Sequence, residues 1–413
     1  MVYSFVTFTI QFVGRIAEFM DKVLYIIRHK PKDDAMTIRC RSLCQLIKLD
    51  TQLVDVVSFN MYNEKDFSEE ECVGKLGCDS FFVPDSLINM SKLKCFYEMI
   101  TGNSLIKFVK KYLNHNCVKS IVVYGGSYCL VHSLYRIAKR YNIKIFVDQT
   151  DYFTPHQYIK DRDYWSSVYY FLDNMRIEHL DNKLTGQICI SSFFFEKMKE
   201  EGGNPFFLPP LIDCSTPLSV AESDIITFFY AGFPGLFERK DIISNLIFAL
   251  KDFYDTHPRY PFSFCLAGVS CEQVLSYLKV EAFDFEKYRI HIMGKVSHSV
   301  MTELMHKSDY GVLFRNKSLY SVAGFSTKFC EYLSAGLPVI CNEVGGADEF
   351  IIDQKNGFKL PALSDAHLSS LLEHLSVLNN EDYLSMQTEA FKTAVNTFHI
   401  NSYTNTFTEW FNK

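Results

Sequence analysis

Short apolar runs rich in β-forming residues alternate with amphipathic helical stretches along this chain of 413 residues. Strands that alternate with helices predict parallel sheets, because each helix returns the chain to the starting edge of the sheet. The strand candidates form two series, which predicts an α/β protein with two sheets. The first series is 23–27, 54–59, 120–124, 143–147 and 187–190, and the second is 225–230, 262–266, 289–293, 310–314 and 338–341. The clearest helical stretches between them are 128–141, 164–184, 241–254 and 299–307.

The break between the two series falls at Pro209 and Pro210, which a polar stretch over 215–223 follows. Consecutive prolines hold the chain extended. The position near mid-chain favours a connector between domains over an ordinary strand-to-helix loop. We therefore predict an N-terminal domain over 20–213 and a C-terminal domain over 214–396, followed by a helical segment within 397–413.

Residues 1–19 are apolar and aromatic but are interrupted by Gln11, Arg15 and Glu18. One interpretation is that the start of the chain has been assigned too early, since Met20 directly precedes the first predicted strand. The other is a helix that lies on a membrane surface. The first is slightly favoured. No apolar run reaches the length of a membrane-spanning helix, and we expect a cytoplasmic protein.

The stretch from Gly324 to Glu349 combines several features of a ligand site. A loop of small residues over 324–327 leads into a short helix that ends at Gly336, and Gly345 and Gly346 form a later turn. Backbone amides at a helix N-terminus bind anions readily. Lys328 lies in the first turn of that helix and Glu331 follows three residues later on the same face.

This stretch resembles the nucleotide-binding motif of GT-B glycosyltransferases, specifically the retaining GT4 family. Ala323 stands where that family usually has its first Glu, as in capsule and surface-polysaccharide transferases that carry Ala-Gly-Phe-Pro-Thr-Lys. The resemblance implies two Rossmann-like, doubly wound parallel-sheet domains that face an interdomain cleft. It also implies that the last helix crosses back to the N-terminal domain. The matching residues are Ala323 to Lys328 with Ser326 in place of Pro, Glu331, Ala335-Gly336, Pro338-Val339-Ile340, Gly345-Gly346 and Glu349.

The resemblance also implies roles for individual residues. Glu331 would accept hydrogen bonds from the ribose hydroxyls, and Lys240, predicted to lie at a helix start, would face the donor diphosphate. Phe233 occupies the place of a family Arg, and Arg315, directly after a predicted strand, is the candidate to replace that cation. Lys240 and Arg315 are the predicted catalytic residues. The predicted donor site is Gly232, Lys240, Arg315, Gly324, Phe325, Ser326, Thr327, Lys328 and Glu331.

Charge supports a clustered site of this kind. The net charge of −6 argues against general nucleic-acid binding, and residues 215–413 hold 16 basic against 23 acidic side chains. A diphosphate site in this acidic half requires its few cations to lie together, which again selects Lys240, Arg315 and Lys328. The 13 cysteines form no CxxC pair, so we expect reduced thiols and no zinc site.

The N-terminal half carries weaker signals for an acceptor site. Gly126 lies in a strand-to-helix turn that is not GxGxxG, which disfavours dinucleotide binding. Asp148 and Asp151 follow a predicted strand, where they could orient an acceptor hydroxyl or cap the next helix. Arg28 follows the first strand, where an anionic acceptor such as a lipid diphosphate would arrive.

These inferences predict a retaining glycosyltransferase that moves a sugar from a UDP- or GDP-sugar to a hydroxyl of a growing surface polysaccharide. The acceptor is expected to be lipid-linked, which implies peripheral contact with the inner face of the membrane. No metal and no cofactor are expected, since protein cations would stabilise the leaving diphosphate. Two alternatives remain open: a non-catalytic nucleotide-sugar-binding subunit that pairs with an active transferase, and a nucleotide-sugar epimerase of the same fold.

Overall fold

The computed structural model describes most of the chain from Asp21 onward. Residues 1–19 and the polar stretch 215–223, about which the sequence makes predictions, lie outside the described residues. Within the described ranges, no helix is both long and apolar enough to cross a bilayer. The described residues are 21–32, 34–50, 52–60, 68–156, 163–214, 224–257 and 259–413.

The chain divides into two compact units, Met1–Pro209 with Tyr403–Lys413, and Pro210–Ser402. The first unit is built on a parallel sheet of seven strands in the order β3-β2-β1-β4-β5-β6-β7. Its central strands are continuous apolar runs because helices cover both faces, and Val23 to Ile27 are fully buried. The strands are β1 Lys22–Ile27, β2 Leu53–Ser58, β3 Ser80–Phe82, β4 Val118–Tyr124, β5 Lys144–Gln149, β6 Gly186–Cys189 and β7 Pro205–Phe207.

The helices of the first unit mostly begin at side-chain caps. Asp34, Ser68, Ser91, Ser127 and Asp163 each accept a hydrogen bond from a backbone N–H in the first turn. The helices are α1 Ala35–Lys48, α2 Glu69–Leu76, α3 Lys92–Thr101, α4 Asn103–Leu113, α5 Tyr128–Tyr141, α6 Tyr164–His179 and α7 Ser192–Glu200.

The second unit is built on a parallel sheet of six strands in the order β10-β9-β8-β11-β12-β13. The predicted class, α/β with two parallel doubly wound sheets, is confirmed. All ten predicted strands are present. Three further strands, β3, β7 and β13, were not predicted, and each has three or four residues. The strands are β8 Ile226–Ala231, β9 Phe262–Ala267, β10 Ile290–Gly294, β11 Tyr310–Leu313, β12 Val339–Asn342 and β13 Gly357–Leu360.

One predicted helix start in this unit is wrong. The helix predicted over 241–254, with Lys240 at its start, begins instead at Ser244. Glu238 lies outside it, and its carboxylate accepts hydrogen bonds from the backbone N–H groups of Ile243 and Ser244 at 2.6 and 2.8 Å. Lys240 and Asp241 are therefore loop residues. The helices are α8 Ser244–Thr256, α9 Cys271–Leu278, α10 His298–His306, α11 Leu319–Ala323, α12 Thr327–Ser334, α13 Asp365–Val377 and α14 Asn380–Thr397.

The last helix, α15 Thr404–Asn412, belongs to the first unit. Phe411 stacks on Phe146 of β5 with ring centroids 4.4 Å apart, and Trp410 packs against the same ring at 5.2 Å. Lys144 donates a hydrogen bond from Nζ to the carbonyl of Asn412 at 2.6 Å. Burial of these rings explains why a chain end with an aromatic sequence folds as a packed helix.

Candidate functional site

The predicted donor residues of the second unit lie where the strand order of its sheet reverses. The neighbours β8 and β11 are connected outward in opposite directions, β8 toward β9 and β11 toward β12. In such sheets a crevice opens at the carboxyl ends of the two strands, and ligands bind there. Gly232 follows β8 directly and Arg315 follows β11 closely, so both lie at this edge.

A buried carboxylate, that of Asp241, joins two of the predicted cations. The Nε atom of Arg315 donates to Oδ1 of Asp241 at 3.0 Å, and Nζ of Lys328 donates to Oδ2 at 2.6 Å. The hydroxyl of Tyr230 donates to Oδ2 of Asp241 at 2.9 Å and accepts a hydrogen bond from Lys328 at 2.9 Å. The structure thus brings together on one carboxylate Arg315 and Lys328, which the short helix Leu319–Ala323 separates along the chain.

The electrostatics of this cluster favour an additional anion. Burial by itself raises the pKa of Asp241, but the charges of Lys328 and Arg315 outweigh it and lower that pKa to about 2. Burial lowers the pKa of Lys328 to about 8; Asp241 opposes this shift, and the charges of Lys240 and Arg315 add to it. Three cations therefore surround one carboxylate, and this excess of positive charge is what a diphosphate would neutralise.

Hydrogen-bond donors remain available in the cluster. Among the described residues, the terminal Nη atoms of Arg315 have no hydrogen-bond partner, because only Nε contacts Asp241. The ammonium of Lys328 has three N–H groups and uses two of them. A planar guanidinium with two free amines can bind two oxygens of a phosphate at once.

Gly232 makes room for Lys328. Its φ of +114° lies in a region that L side chains rarely adopt, and a Cβ atom at this position would lie 2.7 Å from Cε of Lys328. Its N–H donates to the carbonyl of Ala267 at 2.8 Å. A side chain at position 232 would displace Lys328 from the cluster. This explains why a glycine occupies this position of the predicted donor site.

The loop from Gly324 to Thr327 presents main chain more than side chains. The ring of Phe325 packs against Phe329, Phe350 and Phe398, so a contribution of Phe325 to a ligand comes from its backbone. Ser326 is the N-cap of α12 but makes no side-chain capping hydrogen bond. The first amides of this eight-residue helix therefore lack the side-chain acceptor that caps most helices of this chain, and they suit an anion.

Glu331 lies one turn beyond Lys328 on α12. Burial raises the pKa of its carboxyl group, although the charges of His298 and Lys328 partly oppose this. Among the described residues, no hydrogen-bond donor contacts this carboxylate. A half-buried carboxylate without donors loses hydration and gains no protein partner, which is costly unless a ligand supplies hydroxyl groups.

The second glycine turn is held by its own carboxylates. Gly345 donates from its N–H to Oδ1 of Asp348 at 2.7 Å, and Gly346 donates to Oε1 of Glu349 at 3.1 Å. Both glycines have positive φ. The Gly-Gly-x-x-Glu part of the motif thus has a structural role here, which is to fix a tight turn beside the 321–324 backbone.

The predicted acceptor residues follow different strands of the first sheet. Arg28 and Gly126 follow β1 and β4, the two strands at which the order of the first sheet reverses. Arg28 lies over the ring of Tyr169 at 4.1 Å. Asp151 follows β5, where its carboxylate accepts from the hydroxyl of Thr150 at 3.4 Å.

Asp148 requires a correction, because it lies inside β5 and not after it. Its carboxylate is fully buried and forms an ion pair with Arg39, Nη2 to Oδ1 at 2.8 Å. The other terminal nitrogen of Arg39 donates to the carbonyls of Leu208 and Pro209. Asp148 thus orients Arg39, which in turn holds the main chain at Leu208 and Pro209. Neither of its carboxylate oxygens is exposed to an acceptor.

Sequence reasoning missed Asp241 and Tyr230. In the sequence they are only an aspartate next to Lys240 and a tyrosine inside an apolar strand, and neither residue stands out. Their meaning depends on contacts with Lys328, which is 87 residues from Asp241 and 98 from Tyr230.

The pKa of Lys328 predicts how nucleotide binding depends on pH. A bound diphosphate stabilises the ammonium form, so affinity for UDP is expected to be full below about pH 8. It should fall by up to about tenfold per unit as the pH rises through that value. Calorimetric titration between pH 7 and 9 measures this. Lys328→Arg keeps its charge throughout this range and should flatten the profile; an equal decline in both proteins would assign it to another group.

The fold defined by these two sheets is GT-B. HepE from Anabaena, solved with UDP and glucose, superimposes with a TM-score of 0.62 at 15% identity over 95% of this chain and 99% of that chain. Sucrose-phosphate synthase from Thermosynechococcus elongatus gives 0.66 at 13% identity, over 95% and 98%. A glycosyltransferase from Rickettsia africae gives 0.64 at 14% identity, over 95% and 97%. At such identities the likeness shows the fold alone.

A sequence comparison bears on the second unit. The family model described as "Glycosyl transferases group 1" matches residues 229–376. This range holds Tyr230, Asp241, Arg315, Lys328 and Glu331, so the whole cluster falls within the match. No curated protein matches the chain by sequence.

Proposed function

We propose that the protein is a glycosyltransferase that uses a nucleotide diphosphate sugar as donor. The observation that carries the proposal is the group of Arg315, Lys328 and Lys240 around Asp241. Lys328 lies one helical turn before Glu331, whose carboxylate has no hydrogen-bond donor among the described residues. The cations suit a diphosphate, and the carboxylate of Glu331 suits the hydroxyl groups of a ribose. The match of residues 229–376 to a glycosyltransferase family, and the UDP and glucose bound to HepE, support this reading.

The proposed reaction breaks the bond between the anomeric carbon of the sugar and the diphosphate oxygen. A hydroxyl oxygen of the acceptor bonds to that carbon. In a retaining reaction, the proton of that hydroxyl passes to an oxygen of the leaving phosphate. Negative charge then grows on the nucleoside diphosphate. Arg315 and Lys328 are held by Asp241 before the reaction, so they stabilise this charge without reorganising, and Lys240 adds positive charge nearby.

We propose that the reaction needs neither a metal nor a cofactor. Fixed cations and the α12 amides supply at the diphosphate the positive charge that Mg²⁺ supplies in metal-dependent transferases. Among the described residues, no group of three or more His, Cys, Asp or Glu side chains is arranged to hold a metal ion.

The acceptor and location are proposed from the resemblance to surface-polysaccharide transferases. The acceptor would be a hydroxyl of a growing, lipid-linked surface glycan, and the protein would work in the cytoplasm at the inner face of the membrane. Arg28, Gly126 and Asp151 are the candidate acceptor residues at the carboxyl edge of the first sheet.

A transfer assay tests the proposed function. The purified protein should release UDP or GDP from one of a panel of UDP- and GDP-sugars in the presence of a glycan acceptor, and excess EDTA should leave the rate unchanged. Turnover that EDTA abolishes and Mn²⁺ restores would contradict the metal-free mechanism. Nucleotide binding without turnover would favour a non-catalytic subunit, an alternative supported by the buried Ala323 in place of the family's first Glu.

Glu331→Ala is expected to weaken nucleotide binding. The loss should approach about 1.5–3 kcal/mol for each ribose hydrogen bond, because the acceptor is charged. Calorimetry with UDP and GDP measures it. Glu343→Ala is the matched control, since Glu343 is an exposed carboxylate of the same unit. Equal affinity of Glu331→Ala and wild type would remove Glu331 from the site.

A further inference from the structure

Two neighbouring helices of the first unit expose an unusual amount of apolar surface. We call this the aromatic surface, and its residues are between 45% and 72% exposed. They come from α3 and α6, which are in contact, since the ring centroids of Phe96 and Trp165 are 4.2 Å apart. The aromatic surface consists of Leu93, Tyr97, Tyr164, Trp165, Val168 and Phe171.

The outward face of α6 differs from that of an ordinary surface helix. Its exposed residues Tyr164, Val168 and Phe171 follow helical spacing and are apolar, whereas its inward face is mixed and buries Tyr169 and Ile177 together with Asp173 and Arg176. A surface helix of a globular protein normally turns polar residues to water. Contiguous exposed apolar residues of this kind mark a surface that contacts a partner or a membrane.

The charges on α3 and on α4, which follows it directly, favour one kind of partner. Residues 91–113, which form α3 and α4, contain five lysines and a single acidic residue, although the whole chain carries −6. That acidic residue, Glu98, is buried and accepts hydrogen bonds from Ser104. The lysines Lys92, Lys94, Lys107, Lys110 and Lys111 are all exposed.

We propose that the aromatic surface docks on an anionic lipid bilayer. Tyr and Trp lie preferentially at the boundary between acyl chains and headgroups, because their rings are apolar and their polar atoms remain hydrated. The exposed lysines of α3 and α4 are attracted to anionic headgroups. An acidic protein would otherwise be repelled by such a membrane, so the local positive charge is required. This inference locates the membrane contact proposed above but rests on the surface alone, and not on the reaction.

Vesicle sedimentation of the full chain tests the proposal. Wild type should bind vesicles of phosphatidylcholine with phosphatidylglycerol, and bind pure phosphatidylcholine less. The variant L93S/Y164S/F171S should partition at least about tenfold less, because each change removes apolar area from the bilayer contact. The variant I352S/V377S/L384S replaces residues of the second unit that are 48–79% exposed, and it should bind like wild type.

Charge and position are tested separately. Lys92→Glu with Lys94→Glu should remove the preference for phosphatidylglycerol, whereas Lys183→Glu with Lys279→Glu, at exposed lysines elsewhere, should keep it. The chain has only two tryptophans, Trp165 and Trp410. In a Trp410→Phe background, spin-labelled lipid should therefore quench the fluorescence of Trp165.

Three outcomes would overturn the proposal. The first is that L93S/Y164S/F171S binds vesicles as well as wild type does, and the second is that Trp165 is not quenched in the bound protein. The third is that wild type does not bind vesicles but self-associates, and that the variant loses this self-association. The last outcome would assign the surface to a second copy of the chain. An unchanged melting temperature shows that the variant folds. Because the readout is lipid binding, its failure leaves the transfer assay unaffected.

Discussion

Arg315→Ala and Lys240→Ala are each expected to lower kcat by on the order of 10²-fold, the scale seen when one preorganised donor to a developing anion is removed. Charge builds on the diphosphate only as the glycosidic bond breaks, so kcat should suffer more than donor affinity. Steady-state kinetics with the native donor measures both. Because the two cations act on one leaving group, the double variant should lose less than the product of the single losses.

Two further variants sharpen this experiment. Arg315→Lys should recover only part of the rate, since an ammonium cannot replace the two terminal Nη amines of the guanidinium. Arg289→Ala is the matched control, because Arg289 precedes β10 and so lies at the amino end of a strand of the same sheet. Near wild-type kcat in both Arg315→Ala and Lys240→Ala would place the diphosphate elsewhere.

Asp241→Asn is expected to destabilise the protein while increasing its response to nucleotide. The change removes the only carboxylate bonded to Arg315 and Lys328 among the described residues, and it leaves one buried and one largely buried cation without compensation. Breaking a buried ion pair from one side costs about 3–5 kcal/mol. A bound diphosphate supplies the missing negative charge, so UDP should raise the melting temperature of the variant more than that of wild type.

Asp309→Asn is the control for this experiment. The Asp309 carboxylate also lies in the second unit and accepts a hydrogen bond from the N–H of Thr227 at 2.7 Å. Burial raises its pKa, and no described cation pairs with it. Asp309→Asn should show the same thermal shift with UDP as wild type. Equal shifts in Asp241→Asn and wild type would mean that the cluster does not meet the diphosphate.

Much of the fold could be read from local sequence pattern. The run 128–141 was predicted as a helix with the bounds that the structure has, because its apolar residues recur at helical spacing between Ser127 and Asn142. The strands β3, β7 and β13 were missed because three or four residues carry too little periodicity to distinguish them from loops. The helix start near Lys240 was wrong because Glu238 caps α8 from outside.

The sequence predicted some residues of the candidate site but not the contacts between them. Lys240, Lys328 and Glu331 were chosen because their stretches resemble a family motif, and Arg315 because it follows a predicted strand; motif and position are both local features. Asp148 was chosen by the same rule, yet it is buried against Arg39, 109 residues away. A position at a strand end indicates an edge of the sheet, but it does not say which oppositely charged side chain already occupies that edge.

The sequence by itself determined the two parallel sheets, the small-residue loop before α12 and the residue types that suit a diphosphate, because these depend on spacing along a short stretch. The tertiary structure alone decided that Asp241 joins Arg315 and Lys328 across 74 and 87 residues. It alone also combined α3 and α6 into one apolar surface. Such contacts form only when distant elements pack together, and hydrophobic periodicity reports which face of an element is buried but not what it meets.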